Sequence, residues 1–145
     1  MAGGKVKVVA TEEAALSGEK VSVNMNAATL AQIDLLVDLG YYFNRSNFIN
    51  EAVNMALREK QNVIDRIVDQ QVTSQKLFFI GVTKLESYDL LGWKACNQKQ
   101  RISGYGVLIL NDVPDELILE TVESIHVVGK VCCSEQIRSA YLKGT

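Results

Sequence analysis

Between Lys20 and Met25 apolar and polar residues alternate one by one. An extended chain would put Val21, Val23 and Met25 on one side and Lys20, Ser22 and Asn24 on the other. The period then changes. Leu30, Ile33, Leu36 and Val37 recur at helical spacing, and Asn26 stands where its side-chain oxygen can cap the first turn. Gly40 ends that helix at the position a left-handed cap requires. Asn44 is the N-cap of a second helix, whose stripe is Phe48, Ile49, Ala52, Val53, Ala56 and Leu57. Val63, Ile64, Ile67 and Val68 extend the helical pattern toward a polar boundary at 70–75. One strand and two helices cannot close a core alone, so the pattern calls for a second copy of the chain, its strand paired with this one.

From Lys76 onward the apolar residues become β-rich. Leu77-x-x-Ile80-Gly81, Ile102-x-x-Tyr105-Gly106 and Ile125-x-x-Val128-Gly129 share one pattern, at spacings of 25 and 23 residues. Leu85, Leu110 and Cys133 follow their glycines by four positions, each before a polar turn. Repeats of this length are the usual mark of stacked architectures. A short β-solenoid of about three rungs is the first expectation, and a small α+β domain is the alternative. In the alternative, 114–124 forms a helix with Pro114 in its first turn, and 134–142 forms another. The fold class is therefore α+β, divided into an N-terminal arm (1–19), a strand-helix-helix domain (20–60), a helical linker (61–75) and a β-rich C-terminal domain (76–145). The Lys/Val alternation at 5–9 allows a short strand, but a loose arm is the expectation there.

The run Val21-Ser22-Val23-Asn24-Met25, then Leu30-x-x-Ile33-Asp34, Gly40 and Asn44-Arg45-Ser46-Asn47-Phe48-Ile49-Asn50-Glu51-Ala52-Val53 resembles the ribbon-helix-helix family of CopG-, Arc- and MetJ-type regulators. The resemblance covers about 40 residues, with strand, loop and helix motifs in the family's order. It implies a homodimer whose two strands form an antiparallel ribbon in the major groove of double-stranded DNA, a groove wide enough for such a ribbon. Lys20, Ser22 and Asn24 match the family's base-contacting positions, and their chemistry suits that role, since Asn pairs with adenine and Lys with guanine. Asn44, Arg45 and Ser46 match the start of the second helix, where the family's backbone amides hold phosphate. The expected function is transcriptional regulation, as a repressor or activator, with the C-terminal domain adding oligomerisation or signal input.

Composition changes this picture in one respect. The chain of 145 residues carries a net charge of −2. Lys20, Arg45, Arg58 and Lys60 are balanced by Asp34, Asp38, Glu51 and Glu59, and a neutral domain holds indiscriminate DNA weakly. That balance keeps a second expectation open: an antitoxin or assembly module whose ribbon serves mainly to dimerise. Other chemistry is excluded more firmly. His126 is the single histidine, and Cys132 and Cys133, being adjacent, would point to opposite faces of a strand, so neither metal sensing nor any cofactor is expected. Of that pair, one is expected buried and the other semi-exposed. No nucleophile elbow, P-loop or G-x-G-x-x-G after a strand argues for an enzyme. Trp93 and Tyr41-Tyr42-Phe43 are expected to pack. Cys96, Cys132 and Cys133 suggest reduced thiols in a cytoplasm. No apolar run is long enough for a membrane span, and no signal-peptide core is present.

Overall fold

The computed structural model describes residues 6–73 and 75–142. In chain order its elements are β1 (Val6–Val9), α1 (Glu12–Leu16), α2 (Ala27–Asp38), α3 (Arg45–Glu59), α4 (Gln61–Gln71), β2 (Lys76–Lys84), α5 (Ser87–Ala95), β3 (Gln100–Ile109), α6 (Asp115–Thr121), β4 (Val122–Cys132) and α7 (Glu135–Tyr141). They form two compact units. One, the sheet unit, comprises the described parts of 1–18 and 68–145; the other, the helical unit, is Glu19–Ile67.

The sheet unit is a four-stranded parallel sheet in the order β1-β4-β3-β2. Parallel neighbours need a crossover, and each of β2 and β3 supplies one by running into a helix before the next strand begins. The three sequence repeats lie in register. Leu77 pairs with Ile102 and Ile102 with Ile125; Gly81 pairs with Gly106 and Gly106 with Gly129. Leu85 and Leu110 then hook onto the neighbouring strand, donating their N–H groups to Ile109 O and Cys132 O at 3.1 and 2.8 Å. Each repeat is thus a strand followed by a helix. That corrects the pure β-solenoid expectation: the polar turns after Leu85 and Cys133 open α5 and α7, and the Asn111-Asp112 turn leads through Pro114 into α6. Glu86 forms a capping box with Asp89, and Ser134 Oγ accepts from Ile137 N–H. The two helices of the α+β alternative stand at Asp115–Thr121 and Glu135–Tyr141.

One face of the sheet carries the main core. Phe79, Ile102, Ile125, Val127, Leu108 and Val131 meet Leu90, Ile118 and Ile137 from α5, α6 and α7, and Trp93 packs against this cluster. A smaller cluster lies on the opposite face at the upper end of the strands, where Ala15 of α1 packs on Ile109 and Cys132. This second cover explains two departures from expectation. The described part of the expected arm, 6–19, is not simply loose: Val6–Val9 pairs with Gly129–Cys132, and Lys84 holds Glu12 of α1 at 3.2 Å and Asp112 at 2.8 Å. Cys132 and Cys133 do face opposite sides, but both are buried, one under α1 and one in the main core.

The helical unit is built as its caps dictate. Asn26 Oδ1 accepts from Thr29 N–H at 2.8 Å and starts α2. At the other end Gly40, at φ +86°, donates to Val37 O while Tyr41 donates to Leu36 O, the paired bonds of a Schellman stop. Asn44 Oδ1 then accepts from Asn47 N–H at 2.7 Å, and Asn47 Oδ1 accepts from Phe43 N–H at 3.1 Å, fixing the entry to α3. Tyr42 packs edge-to-face on Phe48, with ring centroids 4.9 Å apart, whereas Tyr41 and Phe43 are exposed rather than packed. Ile33 is the only buried side chain among residues 19–67.

Candidate functional site

Residues 18–26 belong to no helix or strand of the single chain. Within this run Lys20, Ser22 and Asn24 are exposed, and so are the apolar residues between them: Val21 is 79% and Val23 68% accessible. These apolar side chains stand in alternation with no strand beside them among the described residues. The α3 stripe is equally bare. Val53 and Leu57 are exposed, and Tyr42, Phe48, Ala52, Met55 and Ala56 line an open groove along that helix. The unit therefore carries more apolar surface than one chain covers, and unpartnered patches of this kind mark interaction sites.

Asn44, Arg45 and Ser46 come together at the start of α3. The first backbone bond of the helix runs from Phe48 N–H to Asn44 O. The amides of Arg45 and Ser46 thus precede the ladder, at the end where the helix dipole is positive. Arg45 is also engaged sideways: its Nε and Nη2 donate to the two carboxylate oxygens of Asp34 on α2, at 2.7 and 2.8 Å. This fork holds the Asp34 carboxyl below its ordinary range, mainly through the hydrogen bond, and raises the Arg45 guanidinium correspondingly. It aims the side chain and leaves Nη1 for another anion. Asp34 was not legible as a site residue, because only the bend at Gly40 brings a side chain 11 positions away into contact.

Elsewhere, no cluster of three or more metal-ligating side chains occurs among the described residues, and no described helix is long and apolar enough to cross a membrane. Comparison with curated proteins and with solved structures finds no match. A family model does match, and over most of the chain: residues 16–138 fit the ribbon-helix-helix transcriptional regulator family, to which this protein therefore belongs.

Proposed function

We propose that the protein is a homodimeric, sequence-specific DNA-binding regulator whose two 20–25 segments pair as an antiparallel ribbon in the major groove. The observation that carries this is the exposed alternation of Val21, Val23 and Met25 with Lys20, Ser22 and Asn24 in a segment that has no strand partner among the described residues. Pairing with a second copy would bury the apolar side against α2 and α3 of both chains, and would turn Lys20, Ser22 and Asn24 toward the base edges. Asn44, Arg45 and Ser46 would position the dimer by holding phosphate at the α3 N-terminus, with Arg45 contributing Nη1. The sheet unit would serve assembly or signal input.

The test begins by selecting a preferred duplex from random sequences with the full chain. Wild type and Asn24→Ala are then compared on that duplex and on a scrambled one at moderate salt. Loss of a bidentate base contact costs about 1–3 kcal/mol, so discrimination should fall roughly 5- to 150-fold while binding to the scrambled duplex stays level. Equal discrimination by the two proteins would remove Asn24, and with it the ribbon, from base reading.

A further inference from the structure

Parallel sheets are normally covered on both faces. Among the described residues of the sheet unit, α5, α6 and α7 cover one face, and α1 covers only the upper end of the other. The alternation of the strands fixes what the remaining surface presents, and the register sets it in rows. Lys76, Arg101 and Ser124 stand side by side in the lowest row, followed by Phe78, Ser103 and His126, then Ile80, Tyr105 and Val128. Above the glycines come Val82, Val107, Lys130 and Lys7. Tyr105 is 52% exposed at the centre, with Ile80 at 49% and Val82 at 60% beside it. Tyr105 meets the Phe78 ring edge-on at 6.4 Å, and the Lys76 ammonium lies 5.8 Å over that same ring.

The charge that the strands themselves place on this face is one-sided, while Glu12 of α1 and Asp112 stand at its upper end. β1, β2 and β3 contain no Asp or Glu at all, and Glu123 at the foot of β4, beside its register shift, is the one carboxylate in the sheet. Against it stand Lys7, Lys76, Arg101, Lys130 and the exposed His126, in a protein of net charge −2. Lys84 is occupied by Glu12 and Asp112, and Lys130 is tied by a hydrogen bond from its ammonium to Ser17 O. A second copy of the same face would set these cations against their own kind. An anionic partner with flat apolar groups meets both halves of the surface: rings stack on Tyr105 and His126, and phosphates run between Lys76 and Arg101 at one end and Lys130 and Lys7 at the other. We infer that this open sheet face binds single-stranded nucleic acid, by base stacking on Tyr105 and His126 and phosphate contact with the surrounding cations. The inference stands on the sheet unit alone and does not depend on how the 20–25 segment is used.

The experiment uses the full chain and fluorescein-labelled oligothymidylate and oligouridylate of about 15 nucleotides, a length typical of single-strand sites, with anisotropy read across a salt series. Saturable binding to at least one strand is expected; a preference between them identifies DNA or RNA as the ligand. Tyr105→Ala should weaken it about fivefold or more, the effect of one lost stack, and Tyr105→Phe should restore it. Arg101→Gln should flatten the salt dependence by about 0.7 in log–log slope, one phosphate contact on a single strand. Leu91→Ala, an exposed change on α5, should do neither. Because Tyr105 is half exposed, an unchanged melting temperature is expected to accompany its loss of binding. Lys20→Ala with Asn24→Ala should leave single-strand binding intact. The inference is overturned if neither strand binds at low salt, if Tyr105→Ala binds as wild type does, or if the Lys20/Asn24 variant abolishes single-strand binding. It is also overturned if polyglutamate of matched charge displaces the oligomer equally well, an outcome that would assign the face to an acidic protein segment.

Discussion

The glycine row that crosses the sheet offers a measurement in which two physical causes separate. Gly81, Gly106 and Gly129 pair with one another in register, all at positive φ: +111°, +124° and +142°. A Cβ at Gly106 would lie 2.9 Å from the Gly81 carbonyl carbon, 3.1 Å from its nitrogen and closer still to its oxygen, whereas a Cβ at Gly81 meets nothing within 4 Å. Gly104 is the converse case. Its backbone is not in the left-handed region, yet a Cβ there would lie 2.6 Å from the Phe79 ring and against the Phe79 carbonyl. Gly81→Ala therefore tests conformation alone, Gly104→Ala tests sterics alone, and Gly106→Ala tests both. Conformational strain of this kind costs about 1–3 kcal/mol, and forcing an extra carbon into a packed site costs a further ~1–3 kcal/mol. At Gly106 the neighbour is the Gly81 backbone of the edge strand β2, which a Cβ displaces only by breaking its pairing with β3. The expected order is Gly81→Ala at about 1–3 kcal/mol, Gly104→Ala similar, and Gly106→Ala at about 2–6 kcal/mol, a large share of a typical domain's stability. Urea titration followed by Trp93 fluorescence reads the sheet unit, since Trp93 is the single tryptophan and packs on its core. If Gly81→Ala costs as much as Gly106→Ala, the close backbone approach is not what demands glycine, and the reasoning fails.

Two further predictions concern groups whose ionisation the fold alters. Burial pushes Cys133 up to about 11 and raises Cys132 as well, while Cys96 is exposed. One of the three thiols should react with Ellman's reagent near neutral pH and all three after unfolding; the stability these buried neutral thiols lend is full below the unfolded thiol pKa of about 8.5 and should fall as pH rises beyond it. Asp34 is shifted the other way by Arg45, so its contribution is present above the unfolded carboxyl value, about 3.9, and is lost as pH falls through the lower folded one. In Arg45→Gln the Asp34 carboxyl, followed by carbon-detected NMR, should titrate at higher pH than in wild type; an unmoved titration would remove the fork as the cause.

Local chemistry made the helical unit legible. Asn26, Gly40 and Asn44 each act where their residue type says they should, because caps and stops depend on a few neighbouring backbone groups. The glycine repeat was legible for the same reason that it is in register: a backbone that approaches its neighbour this closely accepts no Cβ at Gly106 or Gly129. What could not be read is non-local. β1 joins β4 more than 100 residues away, and no periodicity in Val6–Val9 announces that partner. The α5 helix hid for a different reason: Ser87–Ala95 is short, carries Gly92 inside it and buries only Leu90, so it shows no amphipathic stripe. The missed α5, together with the α6 and α7 of the α+β alternative, turns three β rungs into three strand-helix units.

The distribution of charge answers an objection that net charge raises. A total of −2 suggests a poor partner for nucleic acid, but the total averages over surfaces that face different things. The carboxylates sit largely on helices and turns: Glu116, Glu120 and Asp115 on α6, Glu135 on α7, and Asp65 and Asp69 on α4. The sheet keeps its cations and, apart from Glu123, excludes acids. Strands favour neither sign strongly enough to produce this by propensity, whose preference disfavours Lys and Asp alike. Segregation gathers along the strands cations that the net charge conceals, and it is local charge, more than the total, that would recruit the inferred anionic ligand. α6 and α7, with their carboxylates, cover the opposite face of the sheet, so the inferred anionic ligand would meet its cations on the open face alone.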